Sequence, residues 1–209
     1  MDYETITSLE SLRRLYAAPK PVVLRKERQQ LDQFCRQFLE LSPFAILATS
    51  DAGGRMDCSP RGDYPGFICA LNDTEIALPD RPGNNRLDSI GNIVENPAVG
   101  LLALIPGFSD CLRINGRAKI AVNAELLARF EYQGKLPKSV IVISIGEIYF
   151  HCARAITRAQ LWNSAAQIDR NIMPSLGRII MAQTETEKSE EDLRRIDQLI
   201  EQGVKTGLY

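Results

Sequence analysis

Apolar and polar positions along the chain repeatedly switch period, and each switch predicts an element. Ile6, Leu9, Leu12 and Leu15 recur at helical spacing, which predicts a short amphipathic helix over 5–16, broken by Pro19 and Pro21. Leu31, Phe34, Cys35, Phe38 and Leu39 form the next apolar stripe, so a longer helix is expected from Val22 to Leu41, ending at Ser42-Pro43. The period then falls to two. FAILATS (44–50) reads as a buried strand and Asp51-Ala52-Gly53-Gly54 as a turn. RMDCSPRG (55–62) follows, with Arg55, Asp57, Ser59 and Arg61 on one face and Met56, Cys58 and Pro60 on the other. Proline cannot donate to a ladder, so this strand belongs at an edge or a bulge. GFICAL (66–71) and EIALP (75–79), joined by Asn72-Asp73-Thr74, predict a hairpin.

After a Pro-Gly turn a helix is expected to start near Asn84 and to cover 85–95, until Asn96-Pro97. AVGLLALIP (98–106) is another apolar strand. CLRINGRAKIAV (111–122) alternates cleanly, with Arg113, Asn115, Arg117 and Lys119 on one face. That strip is either a solvated sheet face or one that meets an anionic ligand or a partner subunit. Gly116 within it is expected to mark a bulge or a close approach. Asn123 is expected to cap a short helix to about Phe130. SVIVISIGEIYFHC (139–152), almost wholly apolar, reads as a central or interface strand. A last helix is expected from about Glu187 to Gln202, with Leu193, Ile196, Leu199, Ile200 and Val204 as its stripe. Ser189 and Asp192 would start it and Gly203 would stop it. About six mostly antiparallel strands with flanking helices predict a mainly β, α+β architecture, a small closed or nearly closed barrel. The segments are 1–42, helical and packing on the barrel, 43–165, the barrel, and 166–209, helical.

Composition narrows the function. The 209 residues carry a net charge of −1, which gives no electrostatic reason to expect nucleic acid or an acidic membrane as partner. No apolar run reaches the roughly 18 residues of a membrane span. The acidic, polar start MDYETITSLE does not read as a signal peptide, so a cytoplasmic protein is expected. Five cysteines without close pairs suit buried thiols rather than a disulfide framework or a zinc site. His151 is the only histidine, which excludes multi-histidine metal centres. Nucleotide-binding glycine motifs and a G-x-S-x-G nucleophile turn are absent as well.

The unusual chemistry gathers between Cys58 and Pro97: Ser59, Arg61, Asp80, Arg81, Asn84, Asn85 and Arg86, punctuated by prolines and glycines. A strand end, a turn with glycine and a helix N-terminus bearing arginine make a place for a phosphate, because free N–H groups and the helix dipole favour an anion. The competing reading is an Asn-capped helix after a tight turn, with arginines on a solvated edge.

The order of elements, with SPRGD, LPDRPGNNRLDSIGNIVENP, LRINGRA and FHCARAITRAQLW, resembles the pyridoxamine 5′-phosphate oxidase-like FMN-binding proteins, within them the subgroup of FMN-dependent proteins of unknown substrate. The resemblance covers roughly residues 30 to 165. It implies a six-stranded antiparallel split β-barrel working as a homodimer, with two FMN sites at the subunit interface. Carried over by position, Ser59 and Arg61 would line the flavin ring or ribityl chain. Asn85 and Arg86 would grip the phosphate, with Arg81 and Asn84 as further candidates, and Arg154 and Trp162 would reach the ring from the second subunit. The substrate motifs of the true oxidases are missing, so pyridoxamine phosphate oxidation is not expected. What the resemblance implies is an FMN-dependent oxidoreductase for a small substrate, with NAD(P)H as a candidate donor. The alternatives are a flavin-binding module without turnover, or a barrel holding haem or a deazaflavin. No catalytic residue is assigned; His151, Asp63 and Tyr64 are the available acid–base groups.

Overall fold

A computed structural model of the chain describes residues 1–184 and 189–209. Its centre is one antiparallel sheet of seven strands: β1 (Phe44–Ser50), β2 (Met56–Gly62), β3 (Cys69–Ala70), β4 (Glu75–Asp80), β5 (Ala98–Leu104), β6 (Cys111–Ala121) and β7 (Ser139–His151). The spatial order is β2-β1-β5-β6-β7-β4-β3, so β2 and β3 are the edges and no ladder among the described residues joins them. The barrel is therefore split. Its interior is filled by side chains that alternate inward, among them Ala45, Leu47, Leu78, Leu101, Ile114, Ile141 and Ile143. Seven strands stand where about six were expected, and the first arm of the 66–71 and 75–79 hairpin is reduced to two-residue β3. Phe67 and Ile68 are instead buried in the core.

Pro60 lies on edge strand β2, where its missing donor costs no ladder bond. β6 and β7 pair along their length, with a register shift at Asn115/Gly116. A Cβ on Gly116 would lie 2.2 Å from the Ser144 carbonyl oxygen, so the expected close approach is real and only glycine fits it. β7 is internal, between β6 and β4.

The helices are α1 (Leu9–Leu15), α2 (Pro21–Arg25), α3 (Gln33–Leu41), α4 (Asp88–Glu95), α5 (Ala124–Ala128), α6 (Arg154–Ala159), α7 (Leu176–Gln183) and α8 (Glu190–Thr206). The single helix expected over 22–41 is two. Between α2 and α3, Arg28 exchanges backbone hydrogen bonds with Ile148, and Asp32 caps α3 by accepting from the Cys35 N–H at 2.8 Å. Leu31, Cys35, Phe38 and Leu39 are buried as the stripe predicted, but Phe34 is 60% exposed. α1 buries nothing. α8 runs through Gly203, the expected stop, to a cap at Gly207, and Leu199 is exposed. Ser189 caps α8 as expected. The expected start near Glu187 lies outside the described residues, as does the side chain of Val204. The thiols divide: Cys35 and Cys111 are buried, Cys58 and Cys152 exposed, against the expectation of uniformly buried cysteines. Among the described residues no helix is long and apolar enough to cross a membrane.

Candidate functional site

The split has a chemistry of its own. Arg61 on β2 reaches across to Asp80 at the end of β4, Nη1 to Oδ1 3.0 Å. One step further, Arg81 Nε donates to Asp63 Oδ2 at 2.6 Å, with the Asp63 side chain 1% exposed. Two ion pairs thus run in opposite senses across the seam between β2 and β4, where the sheet has no ladder. Beside them opens a cleft of about 460 Å³, walled by the end of β2, the loop 81–87, the first turn of α4 and Lys138.

The loop is shaped by its backbone. Asn85 and Leu87 both have positive φ, 59° and 60°. Asparagine tolerates that region; leucine does so at a cost of about 1 kcal/mol. The left-handed Leu87 delays the helix from the expected 85 to Asp88, where α4 begins without a side-chain cap. Its first-turn N–H groups therefore have no intrahelical acceptor at the cleft edge. Asn84 Oδ1 accepts from the Arg86 N–H at 3.0 Å and fixes the turn. Arg86 itself is exposed and donates from Nε to Asp88 Oδ2 at 2.8 Å. That bond raises the Arg86 guanidinium above its ordinary range and holds the Asp88 carboxyl below its own.

Polar stitches place α4. Ser89, 2% exposed, donates to Asp57 Oδ2 at 2.6 Å, and Ser59 donates to the same carboxylate at 3.0 Å. Asn92 bonds Thr49 and Asn96 bonds Ser50, each on the same face of the helix as Ser89, while Ile93 fills the core between them. The polar face of β2 noted in the sequence is thus turned inward to hold a helix, and Met56, Cys58 and Pro60 face solvent.

Of the eight predicted site residues, Ser59, Arg61, Arg81, Asn84, Asn85 and Arg86 line this one cleft. Arg154 and Trp162 do not. Arg154 is the first residue of α6, and Trp162 donates from Nε1 to the Phe108 carbonyl at 2.7 Å. α6 instead borders a second, apolar groove of about 450 Å³ on the outer face of β1, β5 and β6, where His151, Cys152 and Arg113 also lie. Asp63 is buried against Arg81, and Tyr64 stacks on Tyr132 at 4.9 Å. Sequence reasoning missed Lys138, the Asp57–Ser89 stitch and Tyr209, whose hydroxyl donates to Asp63 Oδ1 at 2.7 Å.

The donor set fits a phosphate. Four cations line the cleft, Arg61, Arg81, Arg86 and Lys138, against two carboxylates, Asp80 and Asp88. Asp63, just behind the cleft, pairs with Arg81, so among the described residues each of the three arginines has a carboxylate partner and one positive charge, on Lys138, is left over to attract an anion. Among the described residues, Arg61 Nε and Arg81 Nη2 are buried and have no hydrogen-bond partner. Orphaned buried donors on charged groups are expensive, and an anion in the cleft would supply acceptors for them.

The family model of pyridoxamine 5′-phosphate oxidase matches residues 31–152, more than half of the chain. The chain belongs to this family. Its seven-stranded antiparallel sheet with flanking helices is the split barrel of pyridoxamine 5′-phosphate oxidase-like proteins. Among solved structures it is similar to HupZ of Group A Streptococcus, at 17% identity and a TM-score of 0.47, over 57% of this chain and 93% of that one. The general stress protein 26 of Bacillus anthracis is 17% identical with a TM-score of 0.42, over 55% of this chain and 88% of that one. A conserved hypothetical protein of Mycobacterium tuberculosis is 15% identical with a TM-score of 0.45, over 61% and 88% respectively. No curated protein matches the chain.

Proposed function

We propose that this member of the pyridoxamine 5′-phosphate oxidase family binds FMN and serves as an oxidoreductase for a small substrate, with NAD(P)H as candidate electron donor. The observation that carries the reading is the pair of buried, unpartnered guanidinium nitrogens on Arg61 and Arg81 in a cleft with surplus positive charge. Arg61, Arg81, Asn84, Asn85 and Arg86 would hold the phosphate, helped by Lys138 and the uncapped start of α4, and Ser59 would meet the ribityl chain. Arginine suits this role because its planar fork can meet two phosphate oxygens at once. Bound FMN would supply the two-electron chemistry that no side chain here provides.

The working unit in this reading is a homodimer in a cytoplasmic setting. The outer face of β1, β5 and β6 supports it: the apolar groove there, continued by exposed Phe44 and Met56, is a surface a second copy would cover. Pairing through that face would bring Arg154 and Trp162 of one copy toward the flavin of the other. Asp63 is committed to Arg81 and Tyr64 to a ring stack, so neither is offered as the acid or base; electron transfer to a bound flavin depends chiefly on orientation.

The test is the absorption spectrum of the purified protein, followed by release and identification of the chromophore. Flavin bands and released FMN are expected; a haem spectrum would move attention to His151 on the outer groove. Arg86→Ala should lose most FMN affinity while the dimer persists, and wild-type flavin content in that variant would refute the phosphate assignment.

A further inference from the structure

Tyr209 lies more than a hundred residues from the cleft loop 81–87 in sequence, yet its side chain is built into the support of a cleft arginine. Its hydroxyl donates to Asp63 Oδ1 at 2.7 Å, on the carboxylate whose other oxygen receives Arg81 Nε at 2.6 Å. Its ring lies under the Arg81 guanidinium, 5.2 Å from ring centroid to guanidinium carbon. Tyr132 packs on Tyr209 at 4.4 Å and on Tyr64 at 4.9 Å, closing an aromatic stack. The Lys135 ammonium donates to the Tyr209 carbonyl at 2.6 Å. The end of α8 follows the same path: Ile200, Gly203, Gly207 and Leu208 face Pro82 and Gly83 of the cleft loop across a cavity of about 390 Å³.

These contacts leave Arg81 with one edge on Asp63, one face on Tyr209, and Nη2 buried without a partner. A guanidinium held on an edge and a face keeps its remaining donor in place, and an anion arriving there need not order the side chain first. We propose that Tyr209 is a positioning residue of the cleft: it holds Arg81 in place for a phosphate-bearing ligand, so that ligand binding and docking of the 207–209 segment strengthen each other. The proposal rests on the flavin reading above and adds to it a residue from the far end of the sequence. Reciprocity is required thermodynamically. If docked Tyr209 tightens phosphate binding, the phosphate tightens the docking by the same factor.

The experiment compares FMN with riboflavin, which lacks the phosphate, by flavin fluorescence titration of wild type, Tyr209→Phe and Tyr209→Ala. Tyr209→Ala should weaken FMN by about tenfold, the scale of one charge-assisted hydrogen bond with a cation–π contact, and leave riboflavin affinity unchanged. Tyr209→Phe keeps the ring and should fall between the two. In the wild type, FMN but not riboflavin should slow amide hydrogen exchange over residues 203–209. Unchanged FMN affinity in Tyr209→Ala, or equal weakening of FMN and riboflavin, overturns the positioning role while the flavin reading stands. Wild-type protein that takes up no FMN overturns both.

Discussion

The β6–β7 ladder and the β2–β4 seam close the same barrel by opposite means. Along the ladder, eleven residue pairs share their backbone donors and acceptors between each other and the flanking strands β5 and β4, and the inward side chains are apolar. At the seam the backbones do not pair, and the junction is made by Arg61 with Asp80 and Arg81 with Asp63. A ladder leaves no hydrogen-bonding capacity over. A side-chain junction does, because a guanidinium has five N–H donors and its carboxylate partner engages only some of them. The unpartnered nitrogens of Arg61 and Arg81 are that remainder. Spare hydrogen-bonding capacity in this molecule is found where the sheet fails to close on itself.

The sharpest way to break this comparison is to damage the ladder without touching the seam. Gly116→Ala forces a Cβ to within 2.2 Å of a backbone carbonyl that the β6–β7 pairing holds fixed. A loss of about 3 kcal/mol is expected from overpacking against backbone, seen as a lower denaturant midpoint. Near-wild-type stability would mean that the ladder yields more than its register implies. At the seam the expectation reverses. Arg61→Ala should weaken FMN by about tenfold or more, since it removes a charged donor from the cleft, while stability falls by only about 1–2 kcal/mol. Titrations with FMN and riboflavin, beside chemical denaturation, separate the two effects.

The smallest effect concerns pH. The hydrogen bond to Asp63, with burial and that carboxylate's charge adding to it, pushes the Tyr209 hydroxyl from its ordinary 10 up to about 12. A raised value favours the protonated, docked form. Its stabilisation is complete below pH 10 and is lost as the pH rises from there through about 12. Tyrosinate absorbance should show one late-titrating group in the wild type that Tyr209→Phe lacks; identical titration curves for the two would remove the bond.

Much of this was legible in the sequence wherever the signal is local. The alternation in 55–62 placed Asp57, Ser59 and Arg61 on one face, Pro60 marked the edge, and Gly116 marked the close approach. Six of the cleft residues could be picked out because they crowd into 59–86 with turn-forming neighbours. What could not be read depends on distant partners. The helix over 22–41 breaks because Arg28 pairs with Ile148, a bond with no trace in the apolar stripe. Lys138 and Tyr209 reach the site through tertiary packing, and nothing in their sequence neighbourhoods marks them. Left-handed Leu87 is a similar case, since no residue preference favours leucine there.

The seam also differs from the ladders in what must break for it to open. Its two ion pairs join residues 19 and 18 positions apart, no farther than ladder pairs such as Ala98 with Arg117, but they do so through side chains alone. Parting it breaks side-chain bonds and no backbone pair, so the junction can part and re-form as a local event while the ladders stand. In the proposed reading, release of a bound phosphate would be resisted by two ion pairs and one tyrosine rather than by a backbone ladder.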